Sequence, residues 1–250
     1  MGFGGRLVVQ LGLAALIMVT LVIATEPSAP SKSLSAESRV RTGAHQSTDD
    51  GAVKRIAALF AGIPQRGAVL GNANAPVTLQ FFADLECEEA RQFVLGALPF
   101  LVRNWVRRGK LRIIYRANPE ETTWWDIYNR QQAATLAAGR QGKAWNFLDF
   151  FYHEQGPEFT RYATAHFLDA IAAEVRGLDI ARWARERHDP ALTRHLKRDR
   201  VIARRYSIHF TPAFMVGLTG RAPKPLLDYS LTESTAFDDA IEGALTGSGA

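Results

Sequence analysis

The chain has 250 residues, 47% of them hydrophobic, a formal net charge of +5 and a single cysteine. That length suits one sizeable core with appendages, and one cysteine excludes an intrachain disulfide framework and any all-cysteine zinc site, because both need several thiolates converging on a point. Residues 1–50 balance four basic groups against four acidic ones, so the excess positive charge belongs to the rest of the chain and favours anionic neighbours only weakly.

Leu7 to Ala24 is an apolar run broken only by Gln10, Gly12 and Thr20, with Arg6 and no acidic residue upstream. As a helix it would span roughly 27 Å, close to the hydrocarbon thickness of a bilayer and longer than the core of a cleaved signal peptide. Length therefore favours an uncleaved signal-anchor over residues 1–24. A cleaved signal peptide stays open, because Val22-Ile23-Ala24 before Thr25 suits a signal peptidase. Either outcome exports the remainder, with Arg6 holding the N-terminus on the cytoplasmic side. Residues 25–50, rich in Ser, Pro, Ala, Thr and charge, read as a flexible linker.

A folded domain is expected over residues 51–250. Asp49 or Asp50 can cap a short helix with Val53, Ile56, Ala57 and Phe60 on one face, ended by Gly62 and Pro64. Pro76 opens Val77 to Phe82, a compact apolar run whose lack of alternation predicts a buried central strand. The chain then reaches Asp84-Leu85-Glu86-Cys87-Glu88-Glu89-Ala90 and enters a helix whose apolar period runs to about Arg108, kinked by Pro99 and stopped by Gly109. Leu111 to Tyr115 is the next strand, which makes a strand, crossover helix, strand unit. Residues 125–206 read as an inserted set of helices with Trp124, Trp125 and the aromatic cluster at 145–152 building its core. Phe210 to Val216 returns to strand through Thr211-Pro212, and Thr232 or Ser234 can cap a last helix carrying Phe237, Ile241 and Leu245.

Four stretches carry a family likeness: Phe60 to Gln65 with Leu70 to Val77, Phe82 to Cys87, Gly142 to Phe147, and Tyr206 to Phe214. In this order they resemble the DsbA-like branch of the thioredoxin superfamily, over roughly residues 52–247. The resemblance implies an α/β thioredoxin-like fold with a helical insertion, preceded here by the N-terminal membrane segment. It implies a nucleophile at Cys87, a cis-proline at Pro212 facing it, and a backbone at Thr211 that pairs with an extended substrate strand. It also implies thiol–disulfide exchange outside the cytoplasm on extended or unfolded protein segments.

The departure falls on the chemistry. Such proteins carry Cys-x-x-Cys, in which the second sulfur resolves the mixed disulfide, and here that position is Ala90. Dithiol oxidation is excluded, leaving monothiol exchange with an external resolving thiol. The competing reading is a catalytically silent module that binds extended peptides or partner proteins. A third is an anchored assembly subunit using the basic helix near Arg194, Lys197, Arg198, Arg200, Arg204 and Arg205. Glu86, Glu88 and Glu89 are expected to crowd the sulfur with negative charge and offset the helix N-terminus, leaving a rather ordinary thiol.

The six histidines show no metal-ligand spacing and His153-Glu154 lacks the second histidine of a zincin motif, so no metal and no cofactor are expected. Gly139 to Lys143 is too short for a phosphate loop and reads as structural. Nucleic acid is not an expected partner of an exported domain. A free cysteine in an oxidising compartment also permits a Cys87–Cys87 dimer.

Overall fold

The computed structural model describes residues 51–120 and 122–247. The expected anchor over residues 7–24, the linker and the capping aspartates lie outside the described residues, and among the described residues no helix is long and apolar enough to cross a membrane.

The described chain opens with helix α1 over residues 51–60, which buries Val53, Ile56 and Phe60. A two-residue hairpin follows, β1 (Gln65–Arg66) and β2 (Val69–Leu70), too short to show in the sequence pattern. β3 (Val77–Ala83) is the centre of a six-stranded sheet ordered β1-β2-β4-β3-β5-β6. It pairs in parallel with β4 (Leu111–Ala117), Phe81 opposite Tyr115, and antiparallel with β5 (Ala213–Leu218), Phe81 opposite Phe214. Only Gln80 of β3 is less than fully buried, because both faces of the sheet are covered. Phe81 turns to the main core, stacked on Phe214 at 5.4 Å and tilted against Phe93 at 4.7 Å. Phe82 turns the other way into a smaller cluster with Ala203, Ile208, Ala213 and Met215. β6 (Lys224–Leu226) closes that edge.

Between β3 and β4 the crossover is α2 (Glu88–Leu95), α3 (Ala97–Leu101) and a π-helical turn at Val102–Val106. The break falls at Gly96 (φ −105°, ψ −87°), one turn ahead of the Pro99 kink expected from the sequence. The reason is local: a proline ring clashes with the carbonyl four residues earlier, here Leu95, so the helix yields before the proline. Gly109 ends the crossover at φ +68°.

The insertion comprises α4 (Trp125–Arg140), α5 (Ala144–His153), α6 (Ala165–Glu174), α7 (Ile180–Glu186) and α8 (Pro190–Arg205). Trp145, Phe147, Phe150, Phe151 and Tyr152 are buried as expected. Trp125 is not: it is 54% exposed, with the Arg200 guanidinium 4.9 Å over its ring. Gly139 is structural, since a Cβ there would lie 2.6 Å from the Gly67 carbonyl oxygen. The final helix α9 (Thr235–Thr246) buries Phe237 and Ile241 but leaves Leu245 exposed. Ser234 precedes α9, yet its hydroxyl donates to Asp238 rather than capping an amide.

Candidate functional site

The site forms where the C-terminal end of β3 meets α2. Asp84 makes the turn: its carboxylate accepts from the amides of Glu86, Glu120 and Thr122 and from the Thr122 hydroxyl, tying the end of β3 to the loop after β4. From the insertion, the Tyr152 hydroxyl donates to the Asp84 carbonyl at 3.1 Å, and the Gln155 amide donates to the carbonyls of Leu85 and Cys87 at 2.8 and 3.1 Å. Cys87 thus becomes the residue immediately before α2 and is fully buried.

The second wall comes from the segment between α8 and β5. Ser207 ends α8 at φ +54°, the Thr211-Pro212 peptide is cis, and β5 begins at Ala213, so Phe210 lies ahead of the strand instead of within it. The Tyr229 hydroxyl donates to the Pro212 carbonyl at 2.8 Å and fixes the loop. Two residues 124 apart in sequence therefore meet: the Cys87 thiol stands 3.4 Å from the Thr211 carbonyl oxygen. It stands equally close, at 3.4 Å, to Glu89 Oε2. The Thr211 side chain is buried and bears on the sulfur in the direction that favours a thiolate. Phe210, one residue earlier, is 55% exposed and leaves apolar surface beside the site.

Electrostatics depart from the sequence reading in their cause. Burial pushes the Cys87 thiol up to about 12. The Thr211 side chain and the Ala90 backbone partly offset this, and Glu89 adds to it. Glu86 does not crowd the sulfur as expected. It is fully buried, both its oxygens lack partners, and burial with the neighbouring charges of Asp84 and Glu158 raises its carboxyl to about 7. Glu88 is exposed, and its amide is held by the Glu158 carboxylate at 2.7 Å. A carboxylate from the insertion therefore occupies the helix end that was expected to serve the thiol. Ala90 is fully buried in the place a resolving sulfur would take. Glu158, Gln155 and Tyr152 were not legible as site residues, because each lies in the insertion about 70 positions away and carries no motif.

The arrangement of a strand-end cysteine before a helix, faced by a cis-proline loop, is accompanied by a direct family match: the model described as "Thioredoxin" fits residues 64–224. The chain belongs to the thioredoxin family. Its likeness within that family is to DsbA-like thiol:disulfide oxidoreductases. The probable disulfide bond formation protein D of Bacillus anthracis is 22% identical over 154 residues, 59% of this chain and 68% of that protein. The crystal structure of BdbD from Bacillus subtilis superposes with a TM-score of 0.61 at 16% identity, over 74% of this chain and 98% of that one. A thioredoxin-like oxidoreductase from Silicibacter pomeroyi DSS-3 superposes with a TM-score of 0.54 at 25% identity, over 76% and 97%. The thioredoxin-like α/β fold of this chain is thus shared with both solved structures.

Proposed function

We propose that the protein carries out thiol–disulfide exchange on extended protein segments through Cys87 alone, outside the cytoplasm. The observation that carries this reading is the 3.4 Å approach of the Cys87 thiol to the Thr211 carbonyl beside the cis Pro212. A substrate strand pairing with the Thr211 backbone would deliver its disulfide to that sulfur. The DsbA-like relatives support the class of chemistry, and the apolar run Leu7 to Ala24 supports export. Phe210 offers apolar contact to the segment's side chains.

The steps are those of a single sulfur. The Cys87 thiol gives up its proton to solvent. The Cys87 thiolate attacks one sulfur of the substrate disulfide, forms the mixed disulfide and expels the other sulfur as a thiolate. With Ala90 in the second position, release requires attack on that mixed disulfide by a thiol from elsewhere in the substrate or from solution. That attack returns the Cys87 thiolate, which recovers its proton from solvent.

One observation favours a second reading, a peptide-binding module without catalysis: the resting thiol is buried and pushed up to about 12. The two separate in one experiment. Turnover of a scrambled-disulfide or glutathionylated substrate by the full chain should vanish in Cys87→Ser while peptide affinity persists. Wild-type turnover no greater than that of Cys87→Ser would leave only the binding module.

A further inference from the structure

A cavity of about 540 Å³ opens between α1, the crossover helices and α5, a volume usual for a small-ligand site. Its apolar wall is aliphatic, built from Ile56 and Leu59 of α1 and Val94 and Leu95 at the end of α2, and no phenylalanine, tyrosine or tryptophan lines it. Three guanidiniums line it as well: Arg55 of α1, and Arg103 and Arg107 of the π-helical turn and its end. The Arg107 amide donates at 2.9 Å to the Val102 carbonyl, five residues back instead of four. That wide turn brings Arg103 and Arg107 to one cavity, and such turns recur at functional sites.

Among the described residues, none of the three guanidiniums meets a carboxylate at ion-pair distance. Arg103 has only the Phe100 ring, 5.0 Å from its guanidinium carbon. Arg55 Nη2 donates to His153 Nε2 at 3.0 Å. Arg107 donates to the carbonyls of Ala58, Leu59 and Ala61 at the end of α1, which fixes that wall of the cavity. Against these three charges the lining holds one carboxyl, Asp149, buried and lifted by desolvation to about 7. Desolvation and the charges of Arg55 and Arg91 push His153 down to about 4, so it is neutral. An aliphatic surface thus lies under a net positive field.

We infer that this cavity binds an aliphatic amphipath with a single anionic head, a carboxylate or a phosphate monoester. The tail lies along Ile56, Leu59, Val94 and Leu95 and leaves water. The head is taken by Arg103 and by the uncommitted nitrogens of Arg55, whose planar forks can each meet two oxygens. Arg107, with both terminal nitrogens donating to backbone, supplies charge and holds α1. α2 spans eight residues, roughly 12 Å, between Cys87 and this cavity. The site is therefore separate from the sulfur and does not rest on the exchange reading.

The test is photolabelling of the full-length chain in zwitterionic nanodiscs with a dodecanoate analogue carrying a diazirine at the tail, the labelled peptides being mapped by mass spectrometry. The expected result is saturable labelling of the peptides that carry Leu59 and Val94-Leu95. Dodecanoate or dodecyl phosphate should compete, the more effective of the two identifying the head, whereas dodecanol and acetate should not. Arg103→Ala and Arg55→Ala should each weaken labelling about tenfold or more, and Cys87→Ser should label as wild type does. Should Arg55→Ala unfold by circular dichroism, Arg103→Ala decides alone, because its side chain meets only the Phe100 ring. Labelling confined to other peptides, competition by dodecanol equal to that by dodecanoate, or wild-type labelling in Arg103→Ala overturns the site.

Discussion

Glu89→Gln removes the one carboxylate that touches the Cys87 thiol, at 3.4 Å, and opposes its ionisation. Glu89 is exposed, so the dielectric of water applies. Two unit charges about 3.4 Å apart then interact by about 1.2 kcal/mol, just under one pKa unit, which is about eightfold in thiolate. The larger contribution is burial, which the substitution leaves in place. With its thiol pushed from 9.0 to about 12, the wild type should hold about a thousandfold less thiolate near pH 8 than an exposed cysteine. The assay is pseudo-first-order alkylation by iodoacetamide, in chelator, from about pH 7 to about pH 10, with Cys87→Ser as the blank. The wild-type rate should climb about tenfold per pH unit with no plateau, and Glu89→Gln should run parallel to it, about eightfold faster. A wild-type plateau below about pH 9, or a glutamine variant no faster than wild type, would refute the assignment of burial and Glu89 as the causes.

Glu86 titrates near 7 in the fold against a usual 4.5, so the unfolded chain gives up this proton at lower pH than the folded one. Stability from this group is complete below about 4.5 and declines as pH rises toward about 7. Glu86→Gln should therefore raise the Tm at mildly alkaline pH and converge on wild type in acid. Asp149, raised to about 7 by burial, keeps some of the slope in the variant; an unchanged difference across pH would contradict this. Gly139→Ala would press a methyl to 2.6 Å from the Gly67 carbonyl, where no side chain can yield. A loss of about 1–3 kcal/mol by urea denaturation is expected, and a neutral result would mean the backbone moves freely there. Ala90→Cys should restore a resolving sulfur at the spacing the family uses, so that oxidation removes both free thiols from thiol titration. Two thiols surviving mild oxidant would show that position 90 does not face Cys87.

The sequence by itself determined the parts that depend on local periodicity. The apolar run Val77 to Phe82 became the central strand because both faces of the sheet are covered, which is what its lack of alternation implied. The crossover helices and the α-rich stretch from Trp125 to Arg205 followed from helical spacing, and Thr211-Pro212 was marked by composition and likeness. The two-residue strands β1 and β2 carry too few positions to show a period.

Tertiary structure decided the chemistry, because proton affinities depend on what lies across space. Neighbouring letters made Glu86 a charge beside the sulfur, whereas the turn buried it elsewhere. Nothing near Cys87 in sequence announced Glu158, which reaches the helix end from the insertion, or the burial that holds the thiol protonated. Periodicity records which residues share a face. Desolvation and convergence of charge exist only once the chain has closed on itself.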